Sequence, residues 1–317
     1  MLVFKLLIGI VLVLYGANLL INTALVLGKK YKISEILIGI VIIGFGTSLS
    51  ELIVSIDAVF KNAAELSIGN IIGSNIANIF LVLGCAGIAK NLVIPKINKF
   101  DNIFHLMISL IFLLIFIYFQ LNILSGLLFI TLFFIYLFIS FRNSKVSETE
   151  NIEINNDFIS KKVMKSPKIF GIPVLFVSIF LTIFGADLTV VNSIQISRVL
   201  GISEAVIGLT VIAIGTSLPE IAAGITAARK TKPDLIFGNI IGSNLYNILL
   251  ILGFSSLLEQ FEYNYLNLLD EIIFMFMSVV VFTILLLFKK SFNKYISLCF
   301  LVTYFVYIYF IYYKIFN

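Results

Sequence analysis

Two glutamates, Glu51 and Glu220, lie about 15 and 16 residues inside apolar segments that are long enough to cross a membrane. At a helical rise of about 1.5 Å per residue, this depth places both carboxyl groups well inside the hydrocarbon layer. A charged side chain there costs on the order of 3 kcal/mol. No lysine or arginine lies at comparable depth in any apolar segment. We therefore expect a bound cation, rather than a residue of the chain, to balance the two charges.

Oxygen-bearing side chains accompany each glutamate at helical spacing. Hydroxyl residues precede each glutamate by three or four positions and share its helical face, and a Ser/Asn pair four residues apart lines one face of the next segment. These residues are Thr47, Ser48, Ser74 and Asn78 in the first half and Thr216, Ser217, Ser243 and Asn247 in the second. Hydroxyl, amide and carboxylate oxygens suit Ca²⁺ or Na⁺ rather than zinc or copper. We predict that they form one ion site with the two glutamates.

The two sets of residues belong to an internal repeat. Residues 39–84 and 208–253 align without a gap at an offset of 169, and 23 of the 46 positions are identical. GTSL (46–49) recurs at 215–218, and GNIIGSN (69–75) recurs unchanged at 238–244. The glycines of GNIIGSN have the small-xxx-small spacing of helix contacts, so we expect them to pack against a neighbouring helix rather than to bind an ion.

Composition identifies the elements that carry these motifs as membrane helices. Hydrophobic residues make up 60% of the 317 positions and charged residues only 12%, about half the charge of a soluble domain. Ten apolar segments are long enough to span a bilayer. They cover about residues 3–26, 36–60, 66–89, 102–119, 122–141, 169–193, 204–228, 234–258, 268–288 and 294–314. The only histidine, His105, has no partner at metal-ligand spacing, and we expect a structural or interfacial role for it.

The repeat offset contains five segments, which is an odd number of crossings. The second copy therefore enters from the opposite side, as in the inverted repeats of secondary transporters. We predict a first five-helix repeat at residues 1–141, a connecting loop at 142–168 and an inverted second repeat at 169–317. Alternate connections divide the 22 lysines and arginines 18 to 4. The positive-inside rule then predicts a plasma-membrane protein with both termini outside and the 142–168 loop in the cytoplasm. The same distribution accounts for the net charge of +5 without nucleic acid.

The motifs GTSLSE (46–51) with GNIIGSNIAN (69–78), and GTSLPE (215–220) with GNIIGSNLYN (238–247), resemble the two alpha-repeats of the calcium/cation antiporter superfamily. Among its members, the prokaryotic sodium/calcium exchangers are the most similar. The resemblance implies an all-α fold of ten transmembrane helices, with segments 2, 3, 7 and 8 forming a four-helix core around the ions. It also implies that segments 1 and 6 slide across this core, and that Glu51 and Glu220 are the carboxylates shared by Ca²⁺ and Na⁺.

Two positions depart from the pattern of the superfamily. Ser50 replaces the proline usual in the first motif, so segment 2 is expected to break less sharply than segment 7, which has Pro219. Asn247 stands where some archaeal and potassium-dependent exchangers carry an aspartate, which argues against potassium dependence. The number of Na⁺ ions exchanged stays open.

The resulting hypothesis is secondary antiport of Ca²⁺ and Na⁺ by alternating access, with the ions as cargo and no cofactor, enzymatic activity or obligatory protein partner. A Ca²⁺/H⁺ antiporter of the same fold is the main alternative, because both glutamates can take up a proton. A passive cation channel is disfavoured by the inverted repeat. An intramembrane acid/base enzyme is disfavoured because the chain has no nucleophile or base partner beside the two glutamates.

Overall fold

A computed structural model of the chain describes residues 1–61, 63–96, 98–143, 158–201, 213–258, 261, 263 and 265–316. Apolar helices dominate these ranges. They are α1 (Leu2–Tyr31), α2 (Glu35–Thr47), α3 (Leu49–Phe60), α4 (Glu65–Ala89), α5 (Lys99–Tyr118), α6 (Ile123–Asn143), α7 (Phe158–Lys165), α8 (Pro167–Val199), α9 (Ala213–Gly215), α10 (Leu218–Arg229), α11 (Pro233–Leu258), α12 (Leu269–Phe288) and α13 (Lys294–Phe316). A short antiparallel pair, β1 (Leu92–Val93) and β2 (Ser291–Phe292), links the connections before α5 and α13.

The helices confirm an all-α, multi-pass membrane fold. In the described part of the chain, eight helices are long and apolar enough to span a bilayer, and α2 with α3 makes a ninth span bent by 43°. The predicted segment 204–228 is described only from residue 213 onward, as α9 and α10. The ten-helix inverted repeat and its boundaries at 141 and 168 therefore stay predictions.

The predicted 142–168 connection is not entirely loop. Residues 144–157 lie outside the described ranges, but Phe158–Lys165 form the amphipathic helix α7. Val163 of α7 is buried against Val26 and Leu27 at the end of α1. The polar composition of this stretch concealed the helix, because one buried valine among lysines gives only a short apolar stripe.

The long helices α1 and α8 cross at glycines that the repeat makes equivalent, Gly16 and Gly185. The backbones approach closely, since a Cβ atom on Gly185 would lie 2.6 Å from the nitrogen of Val13 and 2.8 Å from the carbonyl oxygen of Gly9. Small residues permit this kind of contact between membrane helices. The pair meets α10 through a small cluster formed by Val13, Ala17, Ala186 and Ala222.

The centre of the molecule is formed by α4 and α11, the two helices that carry GNIIGSN. Both are almost entirely buried. Each contains a turn of wider π-helix, at Asn78–Val82 in α4 and Tyr246–Leu252 in α11. Such turns are rare and occur mostly at functional sites. They begin at or next to Asn78 and Asn247, two of the predicted ion-site residues.

Equivalent carboxylates join neighbouring outer helices in each half of the molecule. On α5, Asp101 accepts hydrogen bonds of 3.0 Å from Tyr136 and Ser140 of α6. On α12, Glu271 lies 3.4 Å from Lys314 of α13. Both carboxylates occupy the third residue of their helix, so the second half of the chain repeats the first with a different partner.

Replacement of Gly185 by leucine should destabilise the protein, because the atoms that a side chain would meet belong to the backbone of α1 and cannot rotate away. Overpacking of this kind costs about 1–3 kcal/mol or more. Thermal unfolding in detergent should show a lower melting temperature for Gly185→Leu. The matched control is Val11→Leu on α1, which is 63% exposed and should melt like the wild type. Equal melting of all three proteins would contradict this packing.

Candidate ion-binding site

Glu51 and Glu220 are fully buried, each in the first turn of a helix that follows a break in the chain. Helix α3 begins after Ser48, where the backbone leaves helical geometry (φ −74°, ψ 2°), and α10 begins after Ser217. A helix N-terminus carries a partial positive charge that favours a nearby carboxylate. No ion pair within the described ranges involves either glutamate. The backbone dipoles therefore offset the charges only in part.

The first break forms without a proline. Ser50 occupies the position equivalent to Pro219, and its hydroxyl donates to the carbonyl oxygen of Thr47 (2.9 Å) and lies 2.9 Å from Oε2 of Glu51. The hydroxyl thus satisfies a carbonyl that the break exposes and holds one carboxylate oxygen. The 43° bend between α2 and α3 shows that serine supports a definite break. The comparison with segment 7 stays open, because residues 202–212 lie outside the described ranges.

Seven of the twelve buried side-chain oxygen atoms without a hydrogen-bond partner in the described structure belong to three pairs of residues related by the repeat, and the other five, in Thr23, Ser67, Asn102, Ser255 and Thr283, have no such counterpart. The offset of 169 relates Ser48 to Ser217, Glu51 to Glu220, and Asn78 to Asn247. The unpartnered atoms are Oγ of both serines, Oδ1 of both asparagines, Oε1 of Glu51, and Oε1 and Oε2 of Glu220. An unsatisfied buried polar atom costs about 1–3 kcal/mol, so equivalent losses in both halves point to a shared ligand that satisfies them. Oxygen atoms of these kinds suit a hard cation.

Thr47 and Ser243, also predicted site residues, meet where α2 packs on α11. Their hydroxyl oxygens are 3.4 Å apart, and Thr47 Oγ1 also lies 3.1 Å from the carbonyl oxygen of Ile43. Gly238 and Gly242 make this approach possible, because a side chain on either would collide with the carbonyl of Ile36 or Ile40. The packing role predicted for these two glycines is confirmed.

The equivalent residues of the other half, Ser74 and Thr216, line a cavity of about 730 Å³. Gly69 and Gly73 line the same cavity, and no atom of the described residues lies within 4 Å of a Cβ atom placed on them. The packing role predicted for these glycines is therefore not seen within the described ranges. Polar and charged residues that lie toward the ends of their helices also line this cavity, namely Glu65, Asn267, Glu271 and Lys314.

A ladder of asparagine side chains connects the two halves of the molecule between α4 and α11. Asn78 Nδ2 donates to Asn244 Oδ1 (3.0 Å), and the equivalent Asn247 Nδ2 donates to Asn75 Oδ1 (2.9 Å). These bonds use the amide N–H groups and leave Oδ1 of Asn78 and Asn247 available for a cation. Asn75 and Asn244 were not predicted, although both belong to the unchanged GNIIGSN repeat that could have identified them.

Asn70 and Asn239, another repeated pair, both contact the broken segment that carries Glu51. Asn70 Nδ2 donates to the backbone carbonyl of Glu51 (3.2 Å) and to Ser55 (3.0 Å). Asn239 Oδ1 lies 3.4 Å from Thr47 Oγ1. These contacts hold the broken segment rather than the ion. They also belong to GNIIGSN and were not predicted.

The geometry is that of a multi-pass membrane protein in which two similar halves each contribute buried carboxylate, hydroxyl and amide oxygens. Residues 1–142 and 170–313 match the family of the sodium/calcium exchanger protein. The chain is 30% identical over 285 residues to the inner membrane protein YrbG of Escherichia coli, covering 88% of this chain and 87% of the relative. It is 30% identical over 289 residues to the sodium/calcium exchanger MaX1 of Methanosarcina acetivorans, covering 80% and 81%.

A solved structure of the sodium-calcium exchanger NCX_Mj, soaked with Na⁺ and Sr²⁺, superposes with a TM-score of 0.81 at 27% identity, covering 97% of both chains. The present chain belongs to the sodium/calcium exchanger protein family.

Because two carboxylates are buried without a charged partner, a bound cation should stabilise the folded protein, and this effect can be measured without transport. In a sodium-free buffer, Ca²⁺ should raise the melting temperature, because a ligand at 100 times its Kd stabilises by about 2.7 kcal/mol. Glu220→Gln should melt at a higher temperature than the wild type in chelator, because it removes a buried charge, and should gain little from Ca²⁺. The control Asp57→Asn changes a 59% exposed carboxylate outside the cavity lining and should respond like the wild type. A full Ca²⁺ response in Glu220→Gln would contradict the site.

Proposed function

We propose that the protein is a secondary antiporter that exchanges Ca²⁺ for Na⁺ at one site formed by Glu51 and Glu220. The neutral ligands are Thr47, Ser48, Ser74, Asn78, Thr216, Ser217, Ser243 and Asn247. The observation that carries the proposal is the set of unpartnered buried oxygens that occur in repeat-related pairs. Membership of the family and the names of MaX1 and NCX_Mj, both called sodium/calcium exchangers, support the choice of ions.

Charge balance explains why the two ions compete. Two carboxylates neutralise one Ca²⁺ or two Na⁺, and a third Na⁺ bound by neutral oxygens would make the exchange electrogenic. The empty site would carry two buried charges through the closed state, which is costly in a membrane interior. Exchange is therefore obligatory, and ion gradients drive transport without a cofactor or a chemical reaction.

The arrangement around the site supports alternating access. On one side, α2 packs closely on α11, and Glu35 at the start of α2 pairs with Lys232 before α11 at 2.7 Å, with only 14% and 15% of the two side chains exposed. On the other side, the cavity beside Ser74 and Thr216 leads toward Glu65 and Lys314. The distribution of lysines and arginines assigns the closed side to the cytoplasm. We infer an outward-facing conformation in the plasma membrane, with both chain termini outside and the 142–168 connection in the cytoplasm.

Sliding of α1 and α8 would exchange the open and closed sides. The contact between this pair and α10 is an apolar cluster in which Val13 and Leu218 pack with the small side chains of Ala17, Ala186 and Ala222, and no ion pair within the described ranges crosses it. A smooth interface of this kind presents little resistance to translation of one helix pair over another. The same mechanism argues against a passive channel, because one side of the site stays closed.

A flux measurement tests the proposal. In reconstituted vesicles, an outward Na⁺ gradient should drive Ca²⁺ uptake by the wild-type protein. Glu51→Gln and Glu220→Gln should reduce this uptake to the level of empty vesicles, because neither variant can balance the charge of Ca²⁺. The matched control is Asp57→Asn, which changes a 59% exposed carboxylate paired with Lys61 and should retain uptake. Uptake that survives both glutamine substitutions would refute the site.

The same vesicles distinguish the alternative counter-ion. Exchange for H⁺ is favoured by one specific observation: neither carboxylate oxygen of Glu220 has a hydrogen-bond partner in the described structure, so either could accept a proton. A pH gradient that drives Ca²⁺ uptake in the absence of Na⁺ would establish Ca²⁺/H⁺ antiport. Uptake that requires Na⁺ and ignores the pH gradient would establish Ca²⁺/Na⁺ antiport.

A further inference from the structure

His105 contacts the asparagine ladder at Asn244. It is the only histidine of the chain, is completely buried on α5, and has the aromatic ring of Phe282 on one side. Its Nε2 atom is 3.2 Å from Nδ2 of Asn244. With the amide of Asn244 in this orientation its nitrogen donates and Nε2 accepts, which places the proton of a neutral imidazole on Nδ1, an atom without a hydrogen-bond partner in the described structure.

This contact determines which way two asparagine side chains face. With Nδ2 of Asn244 held by His105, its Oδ1 atom accepts from Nδ2 of Asn78 at 3.0 Å. Asn78 must then present Oδ1, which has no partner in the described structure, to the ion site. If Asn244 were reversed, its amide N–H groups would face those of Asn78. Asn78 would have to reverse as well and would present N–H groups, which repel a cation.

The other half of the molecule has a weaker acceptor at the corresponding place. Helices α5 (Lys99–Tyr118) and α12 (Leu269–Phe288) correspond at an offset of 170, which makes Met275 the equivalent of His105. The sulfur of Met275 lies 3.7 Å from Nδ2 of Asn75. A thioether is a poor hydrogen-bond acceptor, whereas an imidazole nitrogen is a good one. The ladder is therefore oriented more firmly at Asn244 than at Asn75.

We propose that His105 is a positioning residue for the ion site, which orients Asn244 and through it presents the amide oxygen of Asn78 to the cation. The inference rests on the proposed function in one respect, namely that Asn78 is a ligand. The only other bond of Asn244 Nδ2 in the described structure is a long one, 3.5 Å to the carbonyl oxygen of Asn75. Loss of His105 would leave this bond alone to hold the amide.

Replacement of His105 by three residues of similar size tests whether a hydrogen-bond acceptor is needed at this position. His105→Gln retains a strong acceptor, His105→Met reproduces the other half, and His105→Leu has none. Ca²⁺ affinity would be measured for the full-length protein from the Ca²⁺-dependent rise in melting temperature in sodium-free buffer. We expect His105→Leu to weaken Ca²⁺ binding by about tenfold, His105→Met to fall between, and His105→Gln to stay within about twofold of the wild type. In vesicles, the apparent KM for Ca²⁺ should rise in the same order while the maximal rate changes less.

Phe112→Leu is the matched control for packing, since Phe112 is buried on the same helix against Phe116 and Phe129. It should lower the melting temperature in chelator without changing Ca²⁺ affinity. Wild-type affinity in His105→Leu, or equal weakening in His105→Gln and His105→Leu, would overturn the inference. If the wild type binds Ca²⁺ but does not exchange it, the proposed function fails and the affinity series still decides the role of His105. If the wild type binds no Ca²⁺, both proposals fail.

Discussion

The structure is organised around two carboxylates that are buried without a positively charged partner in the described part of the chain. Burial of one such charge without compensation is expensive, and Glu51 and Glu220 are both completely buried. Each glutamate stands at a helix N-terminus produced by a break, and side-chain oxygens from neighbouring helices remain unpaired around it. These features make the empty site energetically unfavourable in the interior and favour the binding of a cation there. Charge balance therefore links the fold to the obligatory exchange that we propose.

The two halves of the molecule are similar in sequence but differ in how their repeated glycines pack and in which residue orients the asparagine ladder. Gly238 and Gly242 are closed against α2, whereas Gly69 and Gly73 line the cavity. A single site that is sealed on one side and approached from the other needs such a difference in conformation. Other differences are built into the chain itself, because His105 and Met275 occupy equivalent positions and offer acceptors of unequal strength. Such fixed differences would persist in the alternating access that we propose.

Much of the fold followed from the sequence, because a membrane helix needs about 20 apolar residues and its length is visible in composition. The predicted ends lie within a few residues of those observed for most helices. Helix α5 shows where prediction of a helix end from apolar composition fails. It begins at Lys99 rather than 102, since Asp101 is satisfied by Tyr136 and Ser140 and can be buried. The histidine expected to be structural or interfacial therefore lies nearly two turns inside the helix, against Asn244.

The site was predictable where a residue repeats and carries chemistry of its own, as with Glu51 and Glu220. Asn75 and Asn244 were not predictable from four-residue spacing, because each lies on a different helical face from the neighbouring Ser/Asn pair. The π-helical turns that follow, at Asn78–Val82 and Tyr246–Leu252, also have no signature in apolar periodicity. Contacts between distant residues, such as Asn78 with Asn244, depend on how helices pack and are not encoded in either segment alone.

Equilibrium binding of Ca²⁺ to the purified protein at several Na⁺ concentrations is the most direct test of one shared site. The account predicts one Ca²⁺ per chain and displacement by Na⁺ with a Hill coefficient above 1, since at least two Na⁺ ions must replace each Ca²⁺. Ca²⁺ binding that Na⁺ leaves unchanged would contradict the central claim that both ions use Glu51 and Glu220.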